Sequence, residues 1–172
     1  MLTDLPYKVC NAIVFNLVLY FMVNLNRHPG NFFFYVLISF MMTLVMSMFF
    51  RTIASVSRTL SQAMAPAAIL ILAIIIYTGF ALPVPNMLGW SRWINYLDPA
   101  AYGFESLMIN EFAGRNFTCS PTAFVPSGPS YANISSLERV CSAVGAVAGS
   151  SVVDGTAFLE SSYQYLPSHK WR

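Results

Sequence analysis

Charged side chains are scarce in this chain of 172 residues, because lysine, arginine, aspartate and glutamate make up only 9% of it. Soluble domains carry about 25% charged residues. The deficit therefore excludes an ordinary soluble domain and indicates a protein whose solvent is lipid. The formal net charge is only +2, which is too small for a nucleic-acid partner to be expected.

The motifs of common catalytic and cofactor sites are also missing. The sequence contains no phosphate-binding G-x-x-x-x-G-K-[ST] loop and no G-x-S-x-G nucleophile elbow. Its two histidines, His28 and His169, lie far apart without a cluster of cysteines or acids, so no metal site is indicated. No paired acids or histidines occur inside the apolar runs, as an intramembrane enzyme would need. We therefore expect no catalytic residue, no cofactor site and no metal site in this chain.

Long apolar runs are what the chain has instead. No charged residue occurs between Arg58 and Arg92, and residues 63–82 form an apolar run without a polar stripe. About 20 apolar residues let a helix cross a hydrocarbon core of roughly 30 Å. Two similar runs precede this one. The sequence thus predicts an all-α membrane protein with three transmembrane helices, at about residues 9–26, 32–50 and 63–82.

Polar side chains inside the first two runs need partners, because lipid offers none. Asn16 in the first run has two readings: a hydrogen bond to a neighbouring helix, which we favour, or a place on a substrate path. In the second run Ser39, Thr43 and Ser47 repeat every four positions and share one helix face. Close helix packing is the favoured role of that face, and pore lining is the alternative.

The connectors between these runs are short. Residues 26–31 (NRHPGN) contain the turn signal Pro29-Gly30, so the first two spans are expected to be antiparallel neighbours. Residues 51–58 hold two arginines and three hydroxyl residues, and we expect them to form a return through the membrane interface. Their positive charge favours the cytoplasmic side.

An aromatic segment follows the third run. Trp90 and Trp93 belong at the level of the lipid headgroups. Asp98-Pro99 is typical of a helix start, and the amphipathic helix that follows is too short to span the membrane. Glu105 in this helix has apolar neighbours and needs a partner. We favour a hydrogen bond to the aromatic segment over a role in proton relay.

The last third of the chain is polar and rich in turn residues. Asn116 and Asn133 begin N-glycosylation sequons, and Cys119 and Cys141 flank the second of them. Sequons and two cysteines in one segment favour the oxidising, extracellular side. A Cys119–Cys141 bridge would contribute about 3 kcal/mol by constraining the unfolded chain. Two free thiols are the alternative. If this segment is outside, the third span runs outward and residues 51–58 are cytoplasmic.

A resemblance to a known family rests on longer strings. The stretch from Tyr77 to Cys119, with W-x-x-W-I-N-Y, D-P, F-E-S-L-M and N-E-F-x-G-R-N-F, closely resembles the pleiotropic drug resistance exporters of fungi, which are G-type ABC transporters. The similarity covers nearly the whole chain, including the strings NAIVFNLVLYFMVNLNRHPGNFFFY, MSMFFRTIASVSRTLSQAMAPA, VPSGPSYANIS and YQYLPSHKWR. The combination is specific, unlike any one short motif.

The resemblance implies how the chain is organised. It looks like spans three to five of the first transmembrane domain (ABC-2 type), with residues 1–114 as the transmembrane part and residues 115–172 as an extracellular loop that leads to a missing next span. Residues 87–113 would form re-entrant or interfacial helices, in which Trp90, Trp93 and Glu105 are structural. Cysteines of this loop form disulfides in the family, which supports Cys119–Cys141.

The resemblance also implies a function. The chain would be the permease portion of an ATP-driven exporter of xenobiotics or lipids, multi-pass and in the plasma membrane. ATP and Mg would bind to nucleotide-binding domains elsewhere, and the partners would be those domains, the second transmembrane half, membrane lipid and hydrophobic small molecules. Residues implied for the substrate path or gate are Asn16, Tyr77, Phe80 and Leu82. The two-leucine plug of G-type relatives is not reproduced. The alternative is a non-transporting polytopic membrane protein with a glycosylated ectodomain.

Overall fold

The structure is a computed structural model, and it describes residues 4–128, 131, 135 and 138–171. Most of the described chain is helical, in agreement with the predicted fold class, and four short strands that the sequence pattern did not predict lie among the described residues of the last third. The helices are α1 Leu5–Met22, α2 Pro29–Val56, α3 Leu60–Tyr77, α4 Arg92–Leu97, α5 Pro99–Phe112 and α6 Gly155–Tyr163. The strands are β1 Asn116–Thr118, β2 Phe124–Val125, β3 Val140–Cys141 and β4 Val152–Asp154. Short 3-10 turns lie at Val84–Asn86, Pro121–Ala123 and Pro167–Trp171.

Three helices, α1, α2 and α3, are long and apolar enough to cross a membrane. Helix α1 begins at Leu5 because a proline occupies its first turn, where the missing backbone donor costs little. It ends at Met22, ahead of the predicted boundary, and Asn24 beyond it has a φ of +55°. The first span is therefore shifted towards the N-terminus relative to residues 9–26.

Helix α2 is longer than predicted at both ends. Pro29, read as part of a turn, instead lies in its first turn. At the other end the helix continues to Val56, so residues 51–56 are not a connector. The hydroxyl groups of Thr52 and Ser55 donate to the carbonyl oxygens of Met48 and Thr52, at 3.0 and 2.8 Å. Bonded in this way to their own helix, these residues do not mark a loop.

Helix α3 begins at Leu60, where the side chain of Thr59 accepts a hydrogen bond from the backbone N–H of Gln62 at 3.4 Å. It ends at Tyr77 rather than at residue 82. Gly79 has a φ of +98°, which is incompatible with a helix. Residues 78–82 therefore form an irregular segment, called here the span-end segment.

Helices α1 and α2 pack through their polar side chains. Ser39 Oγ donates to Asn16 Oδ1 at 2.8 Å, and Lys8 Nζ donates to Ser47 Oγ. The predicted packing role of the Ser39–Ser47 face is confirmed at these two positions. At the Lys8 end of the pair, Arg51 forms an ion pair with Asp4 at 2.5 Å.

Helix α5 joins the membrane helices to the last third of the chain. Its N-terminus is capped as predicted, because Asp98 Oδ1 accepts from the backbone N–H of Ala100 at 2.9 Å. A Cβ atom at Gly103 would lie 2.8 Å from Met42 Sδ, so α5 crosses α2 closely. Beyond α5, strand β1 pairs antiparallel with β4 and β2 with β3.

The core of the last third lies between α5 and α6. Ile109, Leu159 and Tyr165 are its buried centre, and Phe104 and Phe112 pack against it. Gly155 allows the close approach of the two helices, since a Cβ atom there would lie 2.2 Å from the carbonyl oxygen of Phe112.

Contacts between the α1–α2 loop and the C-terminal end of α5 show which ends of the spans lie together. Both carboxylate oxygens of Glu111 in α5 accept from the backbone N–H of Asn26, at 3.0 and 3.1 Å. Arg115 forms an ion pair with the same carboxylate. The α1–α2 loop and the segment that begins at Arg115 are thus at the same end of the helices, away from the Asp4–Arg51 pair.

Candidate functional site

Hydrogen bonds join Tyr77 and the span-end segment to α4 and to the N-terminal cap of α5. Asn95 Nδ2 donates to the carbonyl oxygen of Tyr77 at 2.7 Å. Thr78 Oγ1 donates to Asp98 Oδ2 at 3.4 Å. The C-terminal end of the third span therefore depends on side chains of the aromatic segment and of the α5 cap.

Asp98 is the buried acid of this junction. Burial raises the pKa of its carboxyl group, and hydrogen bonds from the backbone of Ala100, from Thr78 and from the backbone of Ala101 oppose that rise. Burial thus destabilises the charged form of the Asp98 carboxyl group. The N-cap of α5 nevertheless requires a hydrogen-bond acceptor at this position.

Tyr165 contacts the span-end segment from the far end of the chain. A Cβ atom at Gly79 would lie 2.6 Å from the phenol oxygen of Tyr165, closer than real contacts of this kind. Tyr165 is only 4% exposed. Its ring is stacked on Tyr163 with centroids 5.4 Å apart. The phenol group of Tyr165 therefore brings the core of the last third into contact with the end of the third span.

The predicted gate residues adjoin this contact. Phe80 is 69% exposed, and the edge of its ring meets Phe104 with centroids 6.0 Å apart. Leu82 is also exposed, and Tyr77 is half-buried. The side chains of Phe80 and Leu82 are thus exposed apolar groups, and they lie next to the buried Tyr165.

Asn16 lies elsewhere, between α1 and α2. It is 2% exposed. Both polar atoms of its amide group form hydrogen bonds, because Nδ2 donates to the Ala12 carbonyl oxygen at 2.7 Å and Oδ1 accepts from Ser39. This geometry favours the helix-packing reading over a substrate path.

Glu105 has a partner other than the expected one. Its Oε1 is 2.9 Å from His169 Nδ1, and its side chain is 13% exposed. The expected hydrogen bond to the aromatic segment is replaced by one from the 3-10 turn Pro167–Trp171. Trp90 and Trp93 themselves are largely exposed.

The last third of the chain contains the disulfide and one described sequon. Cys119 and Cys141 are bonded, with Cα atoms 6.1 Å apart. Asn116 is exposed at the start of β1. Asn133 lies outside the described residues.

No site for ATP or for its metal ion is assigned among the residues that the structure describes. The sequence lacks a phosphate-binding loop. Within the described residues, no group of three or more His, Cys, Asp or Glu side chains is placed to hold a metal ion. Nothing in the site is therefore assigned to nucleotide chemistry.

Three membrane-length helices, a short helix pair at one end and a disulfide-bearing segment define an integral membrane protein whose site is a junction between helices. The family model for ABC-2 type transporters matches residues 1–112, and that for CDR ABC transporters matches residues 125–172. The chain belongs to the ABC-2 type transporter family.

Relatives of the chain are fungal. It is 62% identical to ZEB2-regulated ABC transporter 1 of Gibberella zeae and 62% identical to ABC multidrug transporter C of Aspergillus fumigatus, in each case over 100% of this chain and 12% of the relative. It is 61% identical to ABC multidrug transporter AFR2 of Cryptococcus neoformans, over 99% of this chain and 11% of the relative. The chain thus spans about an eighth of the length of these curated relatives.

Proposed function

We propose that this chain is part of the transmembrane pathway of an ATP-driven exporter of apolar xenobiotics or lipids. The observation that carries the proposal is the identity of about 60% over the whole chain to transporters named as ABC multidrug transporters. ATP and Mg act on nucleotide-binding domains outside this sequence. Those domains, a second transmembrane half, membrane lipid and hydrophobic substrates are the proposed partners, and the plasma membrane is the proposed location.

The proposed topology places residues 1–114 in the membrane and residues 115–172 outside. The Glu111–Asn26 hydrogen bonds support it, because they keep the α1–α2 loop at the same end as the disulfide-bearing segment. The Asp4–Arg51 ion pair supports it from the other end, since basic residues favour the cytoplasmic side. Asn116, exposed on β1, and Asn133 would then be accessible to glycosylation.

The proposed gate is the span-end segment together with Tyr77. Phe80 and Leu82 close the outer end of the pathway with apolar surface, while the contact of Gly79 with Tyr165 fixes the segment against the external core. Release to the outside requires the segment to leave that core. Transport follows when the inward-facing state binds substrate more tightly than the outward-facing state. Asn16 holds α1 to α2 and is not part of the proposed pathway.

The test uses the full-length reading frame that contains this chain, expressed in cells without other exporters. We expect ATP-dependent efflux of an apolar dye, and an altered substrate profile for Phe80→Ala. Phe15→Ala, which removes an exposed phenylalanine from α1, is the control and should leave the profile unchanged. A reading frame without a phosphate-binding loop, or efflux that does not depend on ATP, would contradict the proposal.

A further inference from the structure

A polar cavity of about 160 Å³ lies between α4, α5 and the 3-10 turn Pro167–Trp171. It opens beside the proposed gate and shares Tyr165 with it, while Phe80 and Leu82 are not part of its lining. Its lining includes Arg92, Glu105 and His169. Several tyrosines complete the wall, among them Tyr96 and Tyr163. Nothing in the gate or in the family assignment gives this cavity a role.

The guanidinium group of Arg92 lines one side of this cavity. Its Nε atom is inaccessible to solvent and has no hydrogen-bond partner within the part of the chain that the structure describes. A buried donor of a charged group is costly when it is unpaired. The planar guanidinium group matches the oxygens of phosphate and carboxylate. This side of the cavity is therefore suited to an oxyanion.

Glu105 places the opposite charge in the same cavity. One of its oxygens is 2.9 Å from His169 Nδ1. Burial raises the pKa of Tyr165, and the nearby Glu105 charge adds to that rise. The Glu105 carboxylate would repel a simple anion, and the Arg92 guanidinium group would repel a simple cation. A ligand that carries both charges satisfies both walls.

The tyrosines add aromatic surface for the positive end of such a ligand. Tyr102 is held by a hydrogen bond from its hydroxyl group to the carbonyl oxygen of Tyr96 at 2.9 Å. Tyr163 is stacked on Tyr165. Aromatic faces attract quaternary ammonium groups, as in the cages that bind choline.

The flanks of Arg92 indicate where the ligand comes from. Trp90 and Trp93 on either side of it are 72% and 58% exposed, as is typical of side chains at headgroup level. We propose that this cavity binds the zwitterionic headgroup of a membrane phospholipid, with its phosphate on Arg92 and its ammonium group against Glu105 and the tyrosines. The assignment rests on the proposed function only in that α4 lies at the outer membrane surface.

The experiment counts lipids retained by the purified full-length transporter. The protein is placed in nanodiscs of phosphatidylglycerol that contain a minor fraction of phosphatidylcholine, and bound lipids are read by native mass spectrometry. We expect preferential retention of phosphatidylcholine, reduced about tenfold or more by Arg92→Gln and by Glu105→Gln. The matched controls Arg58→Gln and Glu160→Gln remove exposed charges away from the cavity and should leave retention unchanged.

A second variant guards against misfolding. Arg92→Lys keeps the positive charge but loses the planar guanidinium group with its paired N–H donors. It should give the same size-exclusion profile as the parent and still retain less phosphatidylcholine. Competition by soluble glycerophosphocholine would support the same chemistry and show that the headgroup alone suffices. Equal competition by inorganic phosphate, or equal retention of phosphatidylglycerol, would overturn the proposal.

Efflux measured on the same variants separates this inference from the proposed function. ATP-dependent export without phosphatidylcholine preference overturns the headgroup site alone. Phosphatidylcholine preference that disappears with Arg92→Gln, in a protein that exports nothing, supports the site and overturns the transport proposal alone.

Discussion

The phenol oxygen of Tyr165 occupies the space that a side chain at Gly79 would need, 2.6 Å from the position of its Cβ atom. The two residues are far apart in sequence, and their contact joins the buried core of the last third to the end of the third span. Tyr165 is held in turn by the stacked ring of Tyr163. The end of the third span and the last third of the chain are therefore in direct contact at this point.

Gly79→Ala is predicted to destabilise the full-length transporter by about 1–3 kcal/mol, because Gly79 has a φ of +98° and its new methyl group overlaps Tyr165. Thermal unfolding of the purified protein measures the loss. Adding Tyr165→Phe removes the overlapping oxygen and should recover part of it in a double-mutant cycle. Gly89→Ala is the control, since a Cβ atom at Gly89 meets nothing within 4 Å. Equal losses for both glycines would contradict the contact.

Glu111→Ala is predicted to release the α1–α2 loop. It removes both acceptors of the Asn26 N–H and leaves Arg115 without its carboxylate partner. Hydrogen bonds to charged groups contribute about 1.5–3 kcal/mol, so amide exchange at Asn26 should be at least about tenfold faster. Hydrogen-exchange mass spectrometry of the loop measures this, with exposed Glu160→Ala as the control. Unchanged exchange would show that other contacts hold the loop.

Asp98 is predicted to give the transporter a pH-dependent stability. The pKa of its carboxyl group in the folded state lies above the ordinary value of 3.8 because of burial, so the protonated form is favoured by folding. The stabilisation is complete below that ordinary value and is lost as pH rises through the raised pKa.

Asp98→Asn keeps an acceptor for the Ala100 N–H but cannot ionise. Its melting temperature should equal or exceed that of the parent at neutral pH and should change less with acidification. Asp98→Ala loses the cap and should cost about 1 kcal/mol. An asparagine variant as unstable as the alanine variant at neutral pH would refute this account of the carboxylate.

The Cys119–Cys141 bond is predicted to be present in the mature protein and to contribute about 3 kcal/mol to the stability of the last third. Peptide mapping under non-reducing conditions should recover the linked pair, and Cys119→Ser should lower the melting temperature. Cys10→Ser in α1 is the control, because that cysteine is free. Recovery of free thiols at both positions would contradict an oxidising location.

Local signals in the sequence predicted the elements with strong patterns. Three long apolar runs correspond to three helices of membrane length. The pair Asp98-Pro99 gave a capped helix, and the spacing of Ser39 and Ser47 gave the face that packs on α1. The C-terminal end of α2 was displaced because Thr52 and Ser55 bond to their own helix, which no hydropathy pattern reveals.

Contacts between distant residues had no local signal. His169 lies 64 residues from Glu105, and its isolation in the sequence argued only against a metal site. The strands are only two or three residues long, so alternation cannot identify them. Tyr165 reaches Gly79 only because α6 packs on α5, with Gly155 permitting the approach. These features depend on tertiary packing and could not be read from spacing.

Cross-linking of the span end to α5 is the most direct test of the gate. In a full-length transporter that carries Cys10→Ser, Phe80→Cys and Phe104→Cys are joined with a short bismaleimide, at a place where the parent rings are 6.0 Å apart. The control pair Ala157→Cys and Ser161→Cys lies within α6, where a bridge restrains nothing that must move. The account predicts that efflux stops in proportion to the Phe80–Phe104 cross-link and persists with the control. Undiminished efflux at complete cross-linking would show that the span end need not leave α5, and would contradict the gate.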